Sequence, residues 1–134
     1  MKTVILITTF FISLLSNNTV LAKNSKASPL TLKLESGTIK INFVEHQGLK
    51  ISDNCLKKKN CDALRSGLAK FHQKPPPHEA MNHPAVLYCK GMGGKAFIAH
   101  DNKNNSVDVC QFPDETYLDP WTAFHKHYPP PTAQ

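Results

Sequence analysis

Aromatic residues are scarce in this chain of 134 residues, of which they make up 8%, with a single tryptophan. Together with ten prolines, this scarcity predicts a thin hydrophobic core. Beyond the first 22 residues no apolar run approaches the roughly 20 residues that a transmembrane helix needs. The length also excludes a TIM barrel or a large multidomain enzyme, since such folds need roughly 200 residues or more. One domain or two very small ones are therefore expected.

Common catalytic motifs are missing as well. The chain has no G-x-S-x-G nucleophile motif and no H-E-x-x-H metal motif. The glycine-rich segment Gly91 to Gly94 would suit a nucleotide phosphate only if a helix followed it, and a strand is predicted there. We therefore predict that the protein is not an enzyme and that it holds no cofactor.

The first 22 residues have the layout of a secretory signal peptide. Met1-Lys2 supplies the positive start, Thr3 to Leu15 the apolar stretch, and Val20 to Ala22 the residues that a signal peptidase reads. An uncleaved anchor is the alternative, but the apolar stretch is only about thirteen residues long. Cleavage after Ala22 would remove one of the 16 Lys and Arg residues and leave 15 against 10 Asp and Glu. The mature protein is expected to be periplasmic or secreted.

Four cysteines follow the signal: Cys55, Cys61, Cys89 and Cys110. An even number in an exported chain of this size indicates two disulfide bonds. Three pairings are possible, and the most economical joins Cys55 to Cys61 and Cys89 to Cys110, because each pair lies inside one predicted local unit. A zinc site is the alternative, which the spacing disfavours because no C-x-x-C motif is present.

Residues 23–73 are predicted to form a β-rich segment with one short helix. Leu30 to Leu34 and Ile39 to Phe43 alternate between apolar and polar residues, which predicts a hairpin. Leu49 to Ile51 is a possible third strand, and Asp62 to about Phe71 has the spacing of an amphipathic helix. Residues 74–81, with a triple proline, are predicted to be a stiff linker.

Residues 82–128 are predicted to be a separate C-terminal module, followed by a proline-rich tail over residues 129–134. A proline near the start and glycines at the end bound its first helix, and Asp119-Pro120 opens its last helix. We therefore expect an α+β fold, in which a small disulfide-stapled helix-hairpin-helix module follows the β-rich segment. The predicted elements of the module are a helix from Pro84, strands at Lys95 to Ala99 and Val107 to Phe112, and a helix from Trp121 to about His127.

Several ordered motifs in this module are those of a known family. They are NHPAVLYC at Asn82 to Cys89, Gly93-Gly94-Lys95, VCQFPD at Val109 to Asp114, and Trp121 with Ala123-Phe124. The segment from about Asn82 to His127 resembles a small bacterial exported domain of unknown function that is often labelled hemolysin. His83 is an insertion relative to the family pattern, and Glu115 stands where glycine is usual.

The resemblance also bears on the cysteines. Leu118 stands about where the family commonly has a third cysteine, which implies that the module keeps only the Cys89–Cys110 pair. Cys55 and Cys61 would then pair with each other. The label itself implies membrane damage, but a transmembrane β-strand needs about 9 to 11 residues and the predicted strands have about five or six.

Histidine is the most unusual component, with seven residues in the chain. Clustered histidines bind copper or zinc, so metal binding is one hypothesis for this protein. The alternative is that they are exposed polar residues at linkers and helix ends. The candidate metal ligands are His72, His78, His83, His125 and His127.

A run of three lysines, Lys57, Lys58 and Lys59, lies inside the loop that a Cys55–Cys61 bridge would close. Such a cluster suits an anionic surface, and a solvated loop is the alternative. Nucleic acid is not expected, because the compartment is wrong and no aromatic residues accompany the lysines.

The predicted function is non-enzymatic binding in the bacterial envelope or outside it, to an unknown protein or envelope component. Copper or zinc binding is one alternative, and a small protease inhibitor or cytolysin is another. An inhibitor would use an exposed rigid loop, for which the turn Asn102 to Asn105 is the candidate. The aromatic residues of the module are expected in its core, although one of them could anchor a binding surface. They are Tyr88, Phe97, Phe112, Trp121 and Phe124.

Overall fold

The computed structural model describes residues 29–70 and 83–130, in which seven antiparallel strands form one sheet that carries three short helices. A 3₁₀ helix at Asp53–Lys57 follows the fourth strand. The strands are β1 (Leu30–Leu34), β2 (Gly37–Ile41), β3 (Phe43–His46), β4 (Leu49–Ser52), β5 (Lys95–His100), β6 (Ser106–Gln111) and β7 (Tyr117–Leu118). The α-helices are α1 (Asp62–Leu68), α2 (Pro84–Gly91) and α3 (Pro120–His127). None of these helices is long and apolar enough to cross a membrane.

The sheet is nearly closed on itself. Its strand order is β2-β1-β5-β6-β7-β4-β3, so β2 and β3 occupy opposite edges. These two strands are nevertheless consecutive, and only Asn42 separates them. A sheet whose two edges are joined by one residue must curl until the edges meet at that residue, in the direction that strand twist favours. The predicted strand Ile39 to Phe43 is in fact the end of β2, this corner and the start of β3.

The predicted helix-hairpin-helix module is wrong. The hairpin β5–β6 lies in the middle of the sheet, where β5 pairs with β1 through Thr31 and His100, and β7 pairs with β4 through Ile51 and Leu118. The physical reason is that the hairpin buries side chains on both faces, so helices on one side cannot cover it alone. The predicted signal peptide, the linker core and the end of the tail lie outside the described residues, and the predicted domain boundaries remain predictions.

One apolar cluster fills the inner face of the curled sheet. It takes side chains from six of the seven strands and none from a helix. The alternation of adjacent residues shows the two faces clearly, since Val109 points into this cluster and Cys110 into the other. The buried members are Leu30, Leu32, Ile41, Phe43, Ala99, Val109 and Tyr117.

A second cluster lies between the outer face of the sheet and the three helices. Its strand residues come from β4, β6 and β7, and its helix residues include Ala63, Tyr88 and Ala123. Both disulfides are buried in it. Cys89–Cys110 joins α2 to β6, and Cys55–Cys61 joins the 3₁₀ helix to the residue that precedes α1. This is the local pairing, and the prediction of two disulfide bonds is confirmed.

The paired glycines after α2 have distinct structural reasons. Gly93 has φ +82, and its N–H donates to Lys90 O, while Gly94 N–H donates to Cys89 O. These two bonds form a Schellman motif, which ends the helix at a left-handed residue. Gly94 packs against the Cys89 and Cys110 sulfur atoms so closely that a Cβ atom there would overlap Cys110 Sγ. The Gly-Gly motif therefore combines a helix stop with a close approach to the disulfide.

Candidate functional site

The Trp121 ring is held from several sides at the outer surface of the sheet. Its Nε1 donates a hydrogen bond to Asp108 Oδ2 over 3.0 Å. The His125 ring stacks on it with ring centroids 5.5 Å apart, and the His83 ring meets it edge-on at 4.9 Å. His83 Nδ1 also lies 3.6 Å from the same Asp108 oxygen. Contacts from β6, from α3 and from the residue before α2 thus fix the orientation of one half-buried indole ring.

The local sequence at the start of α3 places this ring. Asp119 is the N-cap, and its Oδ1 accepts a hydrogen bond from Trp121 N over 2.9 Å. Pro120 occupies the first helical position, where no amide hydrogen is needed. Burial raises the pKa of the Asp119 carboxyl above its usual value despite this hydrogen bond. His125 follows Trp121 by four residues, so both side chains share one face of the helix.

An exposed isoleucine lies opposite the aspartate that binds the ring. Ile98 is directly opposite Asp108 in the β5–β6 register, so the two side chains project from the same face of the sheet. That face is the one that bears the helices, because Cys110, two residues after Asp108, is bonded to α2. The Ile98 side chain is 58% exposed. We call the group His83, Ile98, Asp108, Trp121 and His125 the Trp121 surface.

The sequence drew attention to three members of this surface and missed two. Trp121, His83 and His125 were candidates for core or metal-binding roles, whereas Ile98 and Asp108 were assigned none. Asp108 interrupts an apolar strand, and that interruption is the one sequence signal that could have marked it. Ile98 has no such signal, because an apolar residue in an alternating strand is expected to be buried.

The five candidate histidines do not form one group. His83 and His125 are brought together on the Trp121 ring. His127 instead forms a hydrogen bond of 3.0 Å with Gly67 O of α1, and His72 and His78 lie outside the described residues. Within residues 29–70 and 83–130, no three His, Cys, Asp or Glu side chains are grouped so that they could hold a metal ion. Copper or zinc binding remains a prediction.

The three lysines lie on the loop that the Cys55–Cys61 bridge closes, beside Leu56, which is 51% exposed. The Lys58 ammonium donates to Asp114 O and lies 3.7 Å from Asp114 Oδ2, so one of the three charges is paired. Lys57 and Lys59 are exposed. Contact of this loop with an anionic surface remains a prediction.

The turn between β6 and β7 reaches across to the start of α1. Asp114 Oδ2 accepts a hydrogen bond from Asp62 N over 3.1 Å, and Thr116 Oγ1 accepts one from Ala63 N over 3.1 Å. Asp114 Oδ1 in turn accepts bonds from the Thr116 hydroxyl and amide. Burial alone would raise the pKa of Asp114, but these hydrogen bonds and the Lys58 charge hold it below its usual value. The turn therefore caps a helix that belongs to the other half of the chain.

The candidate inhibitor turn, Asn102 to Asn105, is ordered by the residue that precedes it, Asp101. Asp101 Oδ1 accepts hydrogen bonds from Lys103 N and Asn105 N, each over 2.8 Å. Asn104 has φ +64, a left-handed conformation that asparagine tolerates better than most residues. The turn projects from the β5–β6 hairpin with Asn102 to Asn105 exposed. An inhibitory role for it remains a prediction.

Comparison with known proteins concerns the same part of the chain as the resemblance seen in the sequence. Residues 80–127 match the family model of a domain of unknown function, DUF333. No curated protein and no solved structure gives a significant match. The DUF333 segment supplies α2, β5, β6, β7 and α3, and with them all five residues of the Trp121 surface. The four strands that complete the sheet, β1 to β4, lie before it in the chain.

Proposed function

We propose that this protein is an exported, non-enzymatic binding protein that holds a protein partner on the Trp121 surface. The observation that carries the proposal is the exposed Ile98 directly opposite Asp108, the residue that accepts a hydrogen bond from an indole ring of fixed orientation. Tryptophan is enriched among the residues that contribute most to protein interfaces. A fixed ring also loses little conformational freedom when a partner binds, so more of the contact energy is available for affinity.

The chemistry of the surface favours a protein over a small molecule. Ile98 presents apolar area, while His83 and Asp108 present polar atoms at its margin, and their side chains are 51% and 24% exposed. An apolar centre with a polar rim is the usual anatomy of a protein interface. A flat ligand could not stack on both faces of the indole ring, because His125 already stacks on one of them.

Other features of the chain support the proposal that the protein is exported. The two disulfides are buried in the cluster under the helices, and such bonds persist in oxidising compartments. The signal-like first 22 residues agree with this assignment. Cell fractionation of the tagged full chain tests it, since the mature protein should be found outside the cytoplasm with its thiols oxidised. Recovery in the cytoplasm with free thiols would refute export.

Site-specific crosslinking tests the binding surface. A photo-crosslinking amino acid at Ile98 should yield a discrete protein adduct in the native cells, and the same amino acid at Leu56 should not. Leu56 is a matched control because it is 51% exposed and lies on the loop closed by the Cys55–Cys61 bridge, outside the Trp121 surface. The substitution Ile98→Asp should abolish capture of the identified partner, whereas Leu56→Asp should not. Equal adducts from both positions, or none from Ile98, would refute the proposed surface.

A further inference from the structure

One end of the curled sheet is open, and two neighbouring pockets line it. One has a volume of about 470 Å³ and the other about 490 Å³, and both are bounded by Leu34, Ser36 and Gln111. Tyr117 and Ile39 contribute to the first. The two pockets are adjacent at these three shared residues, and we call them together the mouth of the sheet. Openings of this size in curled sheets are frequent ligand sites.

The strand β2 runs along the mouth and has no strand on its outer side. It pairs with β1 in a register that sets Leu34 opposite Gly37 and Thr31 opposite Lys40. The two-residue turn makes Leu34 and Gly37 a hydrogen-bonded pair. By the alternation of an antiparallel ladder, the backbone groups of Thr38 and Lys40 then point away from β1. No hydrogen bond to these outward groups is present among the described residues.

Both pockets of the mouth carry charges of both signs, with opposite excess: Lys40 lines the first with two acidic residues, and Glu35 lines the second with Lys33 and Lys95. Asp53 and Glu115 line the pocket beside β2, and neither has an ion-pair partner within the described parts of the chain. Lys95 lines the other pocket, with its Nζ 4.9 Å from the centroid of the Phe97 ring. Apolar side chains, among them Leu34, lie between the two. The charges would complement a ligand with a cationic group at one end and an anionic group at the other.

We infer that the mouth binds an extended peptide segment of a partner protein, which adds as a strand to the free edge of β2. Only an extended backbone can pair with the row of N–H and C=O groups at Thr38 and Lys40, and such pairing is a known mode of peptide recognition. Alternate side chains of the peptide would enter the apolar centre of the mouth. A basic residue would lie towards Asp53 and Glu115, and an acidic group towards Lys95.

Selection of peptides on the intact disulfide-bonded protein tests this. The probe is a phage-displayed library of random heptapeptides, and selected peptides are measured by fluorescence polarisation. We expect alternating β-branched or aromatic residues with a basic residue at one end and an acidic residue at the other. The substitution Lys40→Pro removes the outward N–H at an edge where proline is tolerated. It should weaken binding about tenfold, as expected for the loss of one or two hydrogen bonds.

Two further variants separate a loss of peptide binding from a loss of folding. Lys40→Ser removes the charge but keeps the amide, so it should bind the selected peptides within about threefold of the parent protein. The double variant Asp53→Asn, Glu115→Gln should lose the preference for a basic end, since neither side chain makes a hydrogen bond or ion pair inside the described chain. Thermal unfolding of each variant verifies that the sheet is intact.

Three results would overturn the inference. The first is that no peptide is enriched. The second is that the selected peptides bind Lys40→Pro as tightly as they bind the parent protein. The third is that light scattering shows a dimer of the parent protein and that Lys40→Pro is monomeric. The last would assign the edge to a second copy of the chain. The mouth lies on the inner side of the sheet and the Trp121 surface on its outer side, so Ile98→Asp should leave peptide binding unchanged.

Discussion

Replacing Asp114 by alanine should destabilise the protein more than its position in a surface turn implies. The carboxylate accepts hydrogen bonds from Asp62 N at 3.1 Å, Thr116 N at 3.1 Å and Thr116 Oγ1 at 2.6 Å. It also lies 3.7 Å from the Lys58 ammonium. The side chain is 20% exposed and Thr116 is fully buried, so water can replace few of these contacts.

The expected loss of stability follows from what each hydrogen bond of the Asp114 carboxylate contributes. A hydrogen bond to a charged group contributes about 1.5 to 3 kcal/mol, and an unsatisfied buried donor costs about 1 to 3 kcal/mol. The bonds share one acceptor and are not additive, so we expect Asp114→Ala to lower the free energy of unfolding by about 3 kcal/mol. For a domain of up to about 100 residues, that corresponds to a decrease in Tm of roughly 12 to 24 °C.

The same carboxylate predicts a pH dependence. Its folded pKa lies below the usual 3.8, so the unfolded chain binds the proton more readily. The stabilisation is therefore fully present above the unfolded pKa and is lost as the pH falls through the folded value. Urea unfolding of the disulfide-intact protein at pH 7 and at pH 3 measures both effects. Asp114→Ala should flatten the acid-induced loss of stability that the parent protein shows.

Glu115→Gln is the matched control for this series, because Glu115 is adjacent and exposed and its side chain makes no hydrogen bond with a described residue. It should change the free energy of unfolding by less than about 0.5 kcal/mol. If Asp114→Ala were no more destabilising than this control, the capping of α1 by the β6–β7 turn would not contribute to stability. An unchanged pH dependence in Asp114→Ala would contradict the assignment of the acid-sensitive carboxylate.

Four other substitutions give sharp expectations. Gly94→Ala should cost about 3 kcal/mol in urea unfolding because its Cβ would overlap the Cys110 sulfur, whereas Gly91→Ala, with no atom within 4 Å, should be neutral or stabilising. Glu115→Gly should stabilise by about 0.5 kcal/mol, since Glu115 has φ +61 and glycine relieves that strain at some cost in unfolded-state entropy. Trp121→Phe keeps a ring but leaves Asp108 without the indole donor, so it should destabilise by about 1 to 2 kcal/mol. Equal stability of the two glycine variants, or of Trp121→Phe and the parent protein, would contradict these contacts.

The local structure was largely readable from the sequence. The alternation at Leu30 to Leu34 and the Asp119-Pro120 start signal correspond to β1 and α3 as observed. These features depend on neighbours within a few residues, where side-chain period and capping chemistry act directly. The local disulfide pairing follows the same logic, because the closed loops are short.

The motifs of the resembled family were visible in the sequence, but their structural roles were not. Glu115 at a position where glycine is usual marks a left-handed residue, and its φ of +61 gives the reason. The neighbouring Asp114 caps α1, a helix more than fifty residues earlier that lies outside the matched segment. A sequence motif shows which residues a turn requires. Which other part of the chain the turn contacts depends on how distant segments pack.

The candidate site could be predicted from the sequence even less well than the roles of these motifs. Trp121 was expected in a core and Ile98 was assigned no role, because periodicity reports which side chains share a face and not what covers that face. In the folded protein the helices bury Cys110 on the outer face and leave Ile98 on the same face exposed. The surface exists because three short helices cannot cover the whole outer side of a seven-stranded sheet.

By itself the sequence determined β1, the β5–β6 hairpin, the helix starts and a disulfide-bonded build, since each follows from chemistry within a short stretch of chain. Only the tertiary structure decided that both halves share one sheet. The pairing of β1 with β5 and of β4 with β7 joins residues almost seventy positions apart, and several strand orders satisfy the same alternation. The choice among them rests on burying both faces of the β5–β6 hairpin at once, which is a property of the whole packed chain.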